Sequence, residues 1–188
     1  MSSVVIILGA GASAPSGAPL MSNFLDVAYD LLRTNRVDEK TSAFERVFRA
    51  IGHLQQVHSK SQLDLRNIET VFTALELGKV IQTMPGMNRE EIPETISALK
   101  EVITKTLEVT MKFPVRHQAI CAPPPYDALA KMIRRIRSGA ERKHTVSVIT
   151  FNYDVAADLA FFVEKLGPHY ALSEVGANPD HHIDLLKL

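Results

Sequence analysis

The stretch that decides the fold is Val4-Val5-Ile6-Ile7-Leu8-Gly9-Ala10-Gly11-Ala12-Ser13. Its first half is an unbroken run of apolar, mostly β-branched residues, which predicts a strand buried on both faces of a parallel sheet. Its second half is a glycine-rich turn. Beyond the turn, apolar residues recur at helical spacing from Phe24 to Leu32. The chain therefore begins with a strand, a turn and a helix, which is the opening unit of an α/β fold.

The middle of the chain, about residues 35–125, predicts helices only. Asn67 is expected to cap the helix that follows it, because its side chain can accept a hydrogen bond from a free N–H group at the helix start. A further helix is expected from about Asn88 to Met111. We interpret this stretch as a helical insertion between the first and second strands of the sheet.

Strands and helices alternate in the last third of the chain. Residues 145–150 are the second candidate for a buried strand, residues 154–166 predict a helix, and short strands are expected near 170–175 and at 183–188. Together these elements predict an α/β fold with a Rossmann-like parallel sheet, formed by a single domain over residues 1–188. Because an apolar run reaches the last residue, we expect this domain to be C-terminally incomplete.

The composition argues against several classes of protein. The 21 Lys and Arg residues balance 21 Asp and Glu residues, so we expect no attraction of nucleic acid by bulk charge. The single cysteine, Cys121, can form neither an internal disulfide nor a cysteine zinc site. No stretch approaches the roughly 20 apolar residues of a membrane span. The sequence therefore predicts a soluble cytoplasmic protein with no membrane contact, no zinc and no other metal site.

The glycine-rich turn matches the pattern GxGxxA, which is close to the fingerprint of dinucleotide-binding proteins. Gly9 is expected to permit a tight turn that a Cβ would obstruct, and Gly11 to let a diphosphate approach the backbone. The N–H groups at the start of the following helix would then face the anion, and the Ser13 hydroxyl would add a donor. The alternative is a plain strand-to-helix turn with small residues for packing.

A Rossmann dehydrogenase would need more than this turn. It requires a second strand with an acidic residue at its end, about 20 residues further along, to hold the adenine ribose. Here Asp26 and Asp30 lie in the predicted helix instead. Hydride transfer is therefore the weaker interpretation of the turn.

A second cluster of polar residues, Thr150-Phe151-Asn152-Tyr153-Asp154, directly follows the second strand. Ligands of parallel α/β sheets bind beyond the carboxyl ends of the strands, so Asn152 and Asp154 are expected at the same edge of the sheet as the glycine-rich turn. Either residue could instead cap the next helix, and the spacing alone leaves both interpretations open.

The combination of Gly9-Ala10-Gly11-Ala12-Ser13 with Thr150-Phe151-Asn152-Tyr153-Asp154 resembles the sirtuin-like superfamily, whose hallmarks are GAG-x-S and T-Q-N-I-D. It looks closest to the bacterial branch that hydrolyses NAD in antiviral defence, where T-x-N-Y-D is usual. The segment Asn67–Phe72 also resembles that branch. The resemblance implies an enzyme that cleaves NAD to ADP-ribose and nicotinamide.

The resemblance also implies roles for individual residues. The residues implied to bind NAD are Gly9, Ala10, Gly11, Ala12, Ser13, Thr150, Asn152 and Asp154. Of these, Asn152 would lie at the nicotinamide ribose and Asp154 would orient the nicotinamide end, which makes them the implied catalytic residues. Phe151 and Tyr153 depart from the deacetylase pattern and the zinc module is absent, so protein deacetylation is not implied.

The catalytic histidine of this branch begins a His-Gly motif after an apolar strand, often of the form Leu-Leu-Lys-Leu. The run Leu185–Leu188 matches that strand, so the histidine is expected to follow Leu188, and without it the chain is expected to bind NAD but turn it over poorly. The full-length protein is expected to form a homo-oligomer. Two alternatives remain: a catalytically silent sensor that binds NAD or ADP-ribose, and a Rossmann oxidoreductase.

Overall fold

The computed structural model describes residues 3–61, 63–138, 145–170 and 182–188. The elements, in chain order, are β1 (Ser3–Leu8), α1 (Phe24–Arg33), α2 (Thr41–Ser61), α3 (Ile68–Ile81), α4 (Glu91–Thr110), β2 (Val115–Arg116), β3 (Ala119–Ile120), α5 (Pro124–Ser138), β4 (Thr145–Thr150), α6 (Ala156–Val163), β5 (Gly167–His169) and β6 (His182–Lys187). The chain divides into two compact units, Met1–Ala18 with Met111–Leu188 and Pro19–Thr110. We call them the sheet unit and the helical unit.

The sheet unit is built on a parallel sheet with the strand order β1-β4-β6-β5. This confirms the predicted α/β fold with a Rossmann-like parallel sheet, in which helices separate β1 from its neighbour β4 along the chain. In the strand register, Leu8 lies beside Thr150, and Thr150 lies beside Lys187. The carboxyl ends of β1, β4 and β6 therefore lie together at one edge, which we call the rim.

Only one face of this sheet is covered in the described part of the chain. The covered face contributes Val148 and Leu185 to a core that also contains residues of α5 and α6. On the other face, Val5 is 58% exposed and Ile7 is 65% exposed. The prediction that the first strand is buried on both faces is therefore wrong. The two helices α5 and α6 pack into the same core and so cover the same face of the sheet. A continuous apolar run does not reveal that one of its faces lacks a partner.

The helical unit has a separate core formed by α1–α4. The predicted cap at Asn67 is confirmed, since its side-chain oxygen accepts a hydrogen bond of 2.8 Å from the N–H group of Glu69. The helix expected from Asn88 begins at Glu91, because the Asn88 side chain accepts hydrogen bonds from the N–H groups of Glu90 and Glu91. No helix in the described part of the chain is long and apolar enough to cross a membrane.

Two short elements depart from the predictions. The strands β2 and β3 form a small antiparallel hairpin inside the stretch that was expected to contain helices only. Two-residue strands are too short to show any periodicity in the sequence. A strand was expected near residues 170–175; the structure has β5 before that range, at Gly167–His169, and Tyr170 is not part of a strand. Residues 171–175 lie outside the part that the structure describes.

The one-sided packing of the sheet predicts different outcomes for two adjacent leucines of β6. Leu185 is fully buried and Leu186 is 38% exposed. We expect Leu185→Ala to lower the free energy of unfolding by about 2–5 kcal/mol, because it leaves a cavity in the core. Leu186→Ala is the matched control and should lower it by less than about 1 kcal/mol. Urea unfolding followed by circular dichroism measures both, and equal losses would contradict the one-sided packing.

Candidate functional site

The segment that follows β4 presents polar side chains to the interior and apolar ones to the surface. Thr150, Asn152 and Asp154 are buried, whereas Phe151 and Tyr153 are about half exposed. The backbone of this segment continues the sheet for one residue, because the N–H group of Phe151 donates to the carbonyl of Leu8 at 3.1 Å. The alternation therefore carries the Asn152 and Asp154 side chains into the sheet unit at the rim.

The glycine-rich turn folds as two short 3-10 turns, at Ala10–Ala12 and Ala14–Ser16. The N–H groups of Ala12 and Ser13 are used within the turn, since they donate to the carbonyls of Gly9 and Ala10. The first α-helix begins only at Phe24. The turn therefore does not lie at the N-terminus of an α-helix, as was expected. The N–H groups of Ala12 and Ser13 are also not free to face an anion.

The glycines of the turn are not required by its backbone conformation. Gly9 has a φ of −107° and a ψ of 179°, which any residue can adopt. A Cβ added at Gly9 or Gly11 would meet no described atom within 4 Å. The expectation that a Cβ at Gly9 would obstruct the turn is therefore wrong. Both glycines instead face open space, which leaves the backbone accessible to a bound molecule.

Four buried side chains meet at the rim, and we call them the rim cluster: Ser13, Tyr126, Asn152 and Asp154. The Ser13 hydroxyl donates to Asp154 Oδ2 at 2.5 Å and lies 2.6 Å from the Tyr126 hydroxyl. Asn152 Nδ2 donates to Ser13 Oγ at 3.0 Å and to the Tyr126 hydroxyl at 3.1 Å. The structure therefore brings together the turn and the segment after β4, as the sequence predicted.

Asp154 also caps a helix. Its Oδ1 accepts a hydrogen bond of 2.9 Å from the N–H group of Ala156, the first residue of α6, while its Oδ2 accepts from Ser13. The hydrogen bond to α6 agrees with the capping interpretation of Asp154, and the same carboxylate also contacts the glycine-rich turn. Asn152 contacts Ser13 and Tyr126 instead, and its Oδ1 is buried without a hydrogen-bond partner.

A second polar group lies beside the cluster at the end of β6. Lys187 Nζ donates to the main-chain carbonyl of Asp154 at 2.7 Å and forms an ion pair with Asp158 Oδ2 at 2.8 Å. Asp158 also accepts a hydrogen bond from the Tyr170 hydroxyl. That hydrogen bond, with a smaller contribution from burial, raises the pKa of Tyr170 to about 12. The positive charge of Lys187 is therefore paired with Asp158 rather than with the Asp154 carboxylate.

Sequence reasoning missed Tyr126, Asp158 and Lys187 as residues of the rim. Tyr126 carried a signal, because it lies at helical spacing from Ala130 and Ile133 on the apolar face of α5, which places its ring in the core. A phenol hydroxyl buried in a core usually has a hydrogen-bond partner. Burial raises the pKa of the Tyr126 phenol.

Comparison with known proteins adds no family to this description. A scan against protein-family models finds none that matches the chain, and a search of curated proteins finds no similar sequence. Within the described residues, no three His, Cys, Asp or Glu side chains converge as metal ligands would. The case for a function therefore rests on the residues of the rim and their geometry.

Substitutions of two buried serines test how much the rim cluster contributes to stability. Ser13→Ala removes a hydroxyl that contacts Tyr126, Asn152 and Asp154, and it leaves the buried carboxylate short of a donor. We expect the free energy of unfolding to fall by about 1–3 kcal/mol. Ser16→Ala is the matched control, because the Ser16 hydroxyl is buried without a partner. Its removal should change the free energy of unfolding by less than about 0.5 kcal/mol. Urea unfolding measures both variants, and a similar loss of stability in the two would contradict a stabilising role of the hydrogen bonds in the rim cluster.

Proposed function

We propose that this protein hydrolyses NAD to ADP-ribose and nicotinamide. The observation that carries the proposal is the contact of Ser13 with Asn152 and Asp154, which are 139 and 141 residues away in the sequence. These residues belong to the two segments that resemble the NAD-binding segments of the sirtuin-like superfamily. A dinucleotide bound at the rim would meet both segments at once, as ligands of parallel α/β sheets do.

The open space at Gly9 and Gly11 supports a site for the diphosphate. No described atom would touch a Cβ at either position, and neither residue has a positive φ. Neither packing nor backbone strain within the described chain therefore accounts for the choice of glycine. A phosphate that approaches the main chain closely does account for it, because a side chain would hold the phosphate away.

Asn152 supports a site for the ribose next to the nicotinamide. Its Oδ1 is a buried acceptor without a partner, and a buried acceptor is stabilised by any donor that reaches it. The hydroxyls of a ribose and an attacking water are such donors. We propose that Asn152 Oδ1 binds one of them and so fixes the sugar or the water during the reaction.

The charge of Asp154 suits the chemistry of this bond. Nicotinamide leaves NAD as a neutral molecule, so the reaction needs little acid catalysis, but the ribose acquires the positive charge of an oxocarbenium ion. Among the described residues, the Asp154 carboxylate accepts from Ser13 and Ala156, which are uncharged donors, while Lys187 pairs with Asp158. The carboxylate therefore keeps an unpaired negative charge at the rim, which would stabilise the cationic sugar.

A sensor that binds NAD or ADP-ribose without cleaving it is the second candidate. The observation that favours it is that the Ser13 hydroxyl already bonds to both Tyr126 and Asp154, and that the Tyr126 hydroxyl also accepts from Asn152. Groups held in such a network can recognise a ligand without reacting with it. The oxidoreductase alternative is weaker, because Asp26 and Asp30 lie on α1 and not at the end of a second strand.

The biological setting is proposed on the resemblance and the composition alone. An NAD hydrolase of the bacterial antiviral type acts in the cytoplasm, where the substrate is present. The single cysteine and the zero net charge are compatible with that compartment. We propose a homo-oligomer as the active form, with no nucleic acid or membrane as a partner.

The role of Asn152 predicts a large loss of NAD hydrolysis on substitution. We expect Asn152→Ala to lower the rate of ADP-ribose formation by about 10²–10³, measured by chromatography. Asn67→Ala is the matched control, since that side chain caps α3, and it should leave the rate unchanged. Equal rates in both variants, or no cleavage by the unaltered protein in any oligomeric state, would refute the hydrolase. In the second case, calorimetric binding of NAD that Asn152→Ala abolishes would identify the sensor.

The open space at the turn predicts that a single methyl group blocks binding. Gly11→Ala should leave the free energy of unfolding nearly unchanged, because the methyl meets no described atom, and should weaken NAD binding at least about tenfold. Gly52→Ala adds a methyl to open space on α2 and is the control that should bind as before. Calorimetry decides the point, and unaltered affinity in Gly11→Ala would remove the turn from the site.

A further inference from the structure

Tyr126 enters the rim cluster from a different element than its partners. It lies in the first turn of α5 and is only 2% exposed. Its hydroxyl is 2.6 Å from Ser13 Oγ and 3.1 Å from Asn152 Nδ2. The resemblance to the sirtuin-like superfamily assigns no role to this position. The described hydrogen bonds of the Tyr126 hydroxyl are to Ser13 and Asn152, and none of them is to the glycines of the turn.

The direction of every hydrogen bond in the cluster follows from the number of protons. Asn152 Nδ2 carries two, which go to Ser13 Oγ and the Tyr126 hydroxyl. Ser13 carries one, which goes to Asp154 Oδ2. The remaining contact, between the hydroxyls of Ser13 and Tyr126, can therefore use only the proton of Tyr126. The cluster is a one-way chain in which Tyr126 donates to Ser13 and Ser13 donates to Asp154.

This chain determines which side of the Asn152 carboxamide is turned toward the two hydroxyls. If the amide were reversed, Oδ1 would face Ser13 and Tyr126, and the Ser13 proton would still be committed to Asp154. Tyr126 could then donate its one proton to either Oδ1 or Ser13, and two of the three close contacts would be left between acceptors without a proton. The observed orientation satisfies both amide protons and leaves Oδ1 as the one polar side-chain atom of the cluster that has no hydrogen-bond partner among the described residues.

We propose that Tyr126 is a positioning residue that holds the Asn152 carboxamide with its oxygen, rather than its nitrogen, presented to the ligand. The site then selects a ligand group that donates a hydrogen bond. The assignment of this donor group to NAD or to its attacking water rests on the proposed function. The orientation of the amide is independent of that function. Burial raises the pKa of Tyr126, which keeps the phenol protonated and able to donate across the physiological pH range.

Nuclear magnetic resonance of the Asn side-chain amides tests the orientation without NAD. Asn152→Ala identifies the Asn152 signals by their loss. In Tyr126→Phe we expect one of the two Asn152 amide protons to shift and to exchange with solvent about tenfold faster, the factor that corresponds to one neutral hydrogen bond. Tyr29→Phe is the matched control, because Tyr29 is half exposed on α1, and it should leave both signals in place. Unchanged Asn152 signals in Tyr126→Phe would overturn the proposal.

Kinetics separate positioning from a structural role. Because Tyr126 acts through Asn152, Tyr126→Phe should lower kcat about tenfold and change KM less than about twofold. A purely structural role would instead lower the fraction of folded, active protein. The Asn152 amide signals of the molecules that do fold would then be unaltered. If Tyr126→Phe does not fold, the unaltered protein is measured instead: a nuclear Overhauser effect between Tyr126 and one Asn152 amide proton is expected, and its absence would overturn the proposal. A changed amide signal in a protein that never cleaves NAD would support the positioning role and refute the hydrolase.

Discussion

The hydrogen bond from Ser13 to Asp154 is the interaction on which the rim depends. The two residues come from segments separated by most of the chain, and each is almost fully buried. A buried carboxylate without donors is strongly unfavourable, so the hydroxyl from the turn, together with the N–H group of Ala156, stabilises the segment after β4 in this position. The parallel pairing of β1 with β4 makes that possible, because it places the ends of both strands side by side.

The charges at the rim are divided between two carboxylates with different partners. Asp158 forms an ion pair with Lys187 and accepts a hydrogen bond from the Tyr170 hydroxyl. Asp154 accepts hydrogen bonds from the Ser13 hydroxyl and from a main-chain N–H group. The first arrangement is a neutralised ion pair that ties β6 to α6. In the second arrangement, both carboxylate oxygens accept hydrogen bonds from uncharged groups. If the proposed hydrolysis takes place at the rim, the Asp154 carboxylate would stabilise the positive charge that develops on the sugar.

The sequence was sufficient to predict that the turn and the segment after β4 meet, because the edge at which parallel strands end follows from their direction alone. It was not sufficient for Tyr126, whose contact with Ser13 depends on how α5 packs against the sheet. The exposed face at Val5 and Ile7 was missed for a related reason, since an apolar strand has the same pattern with one covered face or two. The reason expected for Gly9 was wrong, because its backbone is extended and an added Cβ would meet no described atom.

The alternation of burial along residues 150–155 has a consequence for how this gene can change. Every second side chain from Thr150 is buried and polar up to Asp154, and those between them are exposed and apolar. Loss or gain of one codon here would exchange the two sets, so that Phe151 and Tyr153 would turn inward and the amide and carboxylate outward. Natural variants of this protein should therefore differ in this segment by replacement and keep its length.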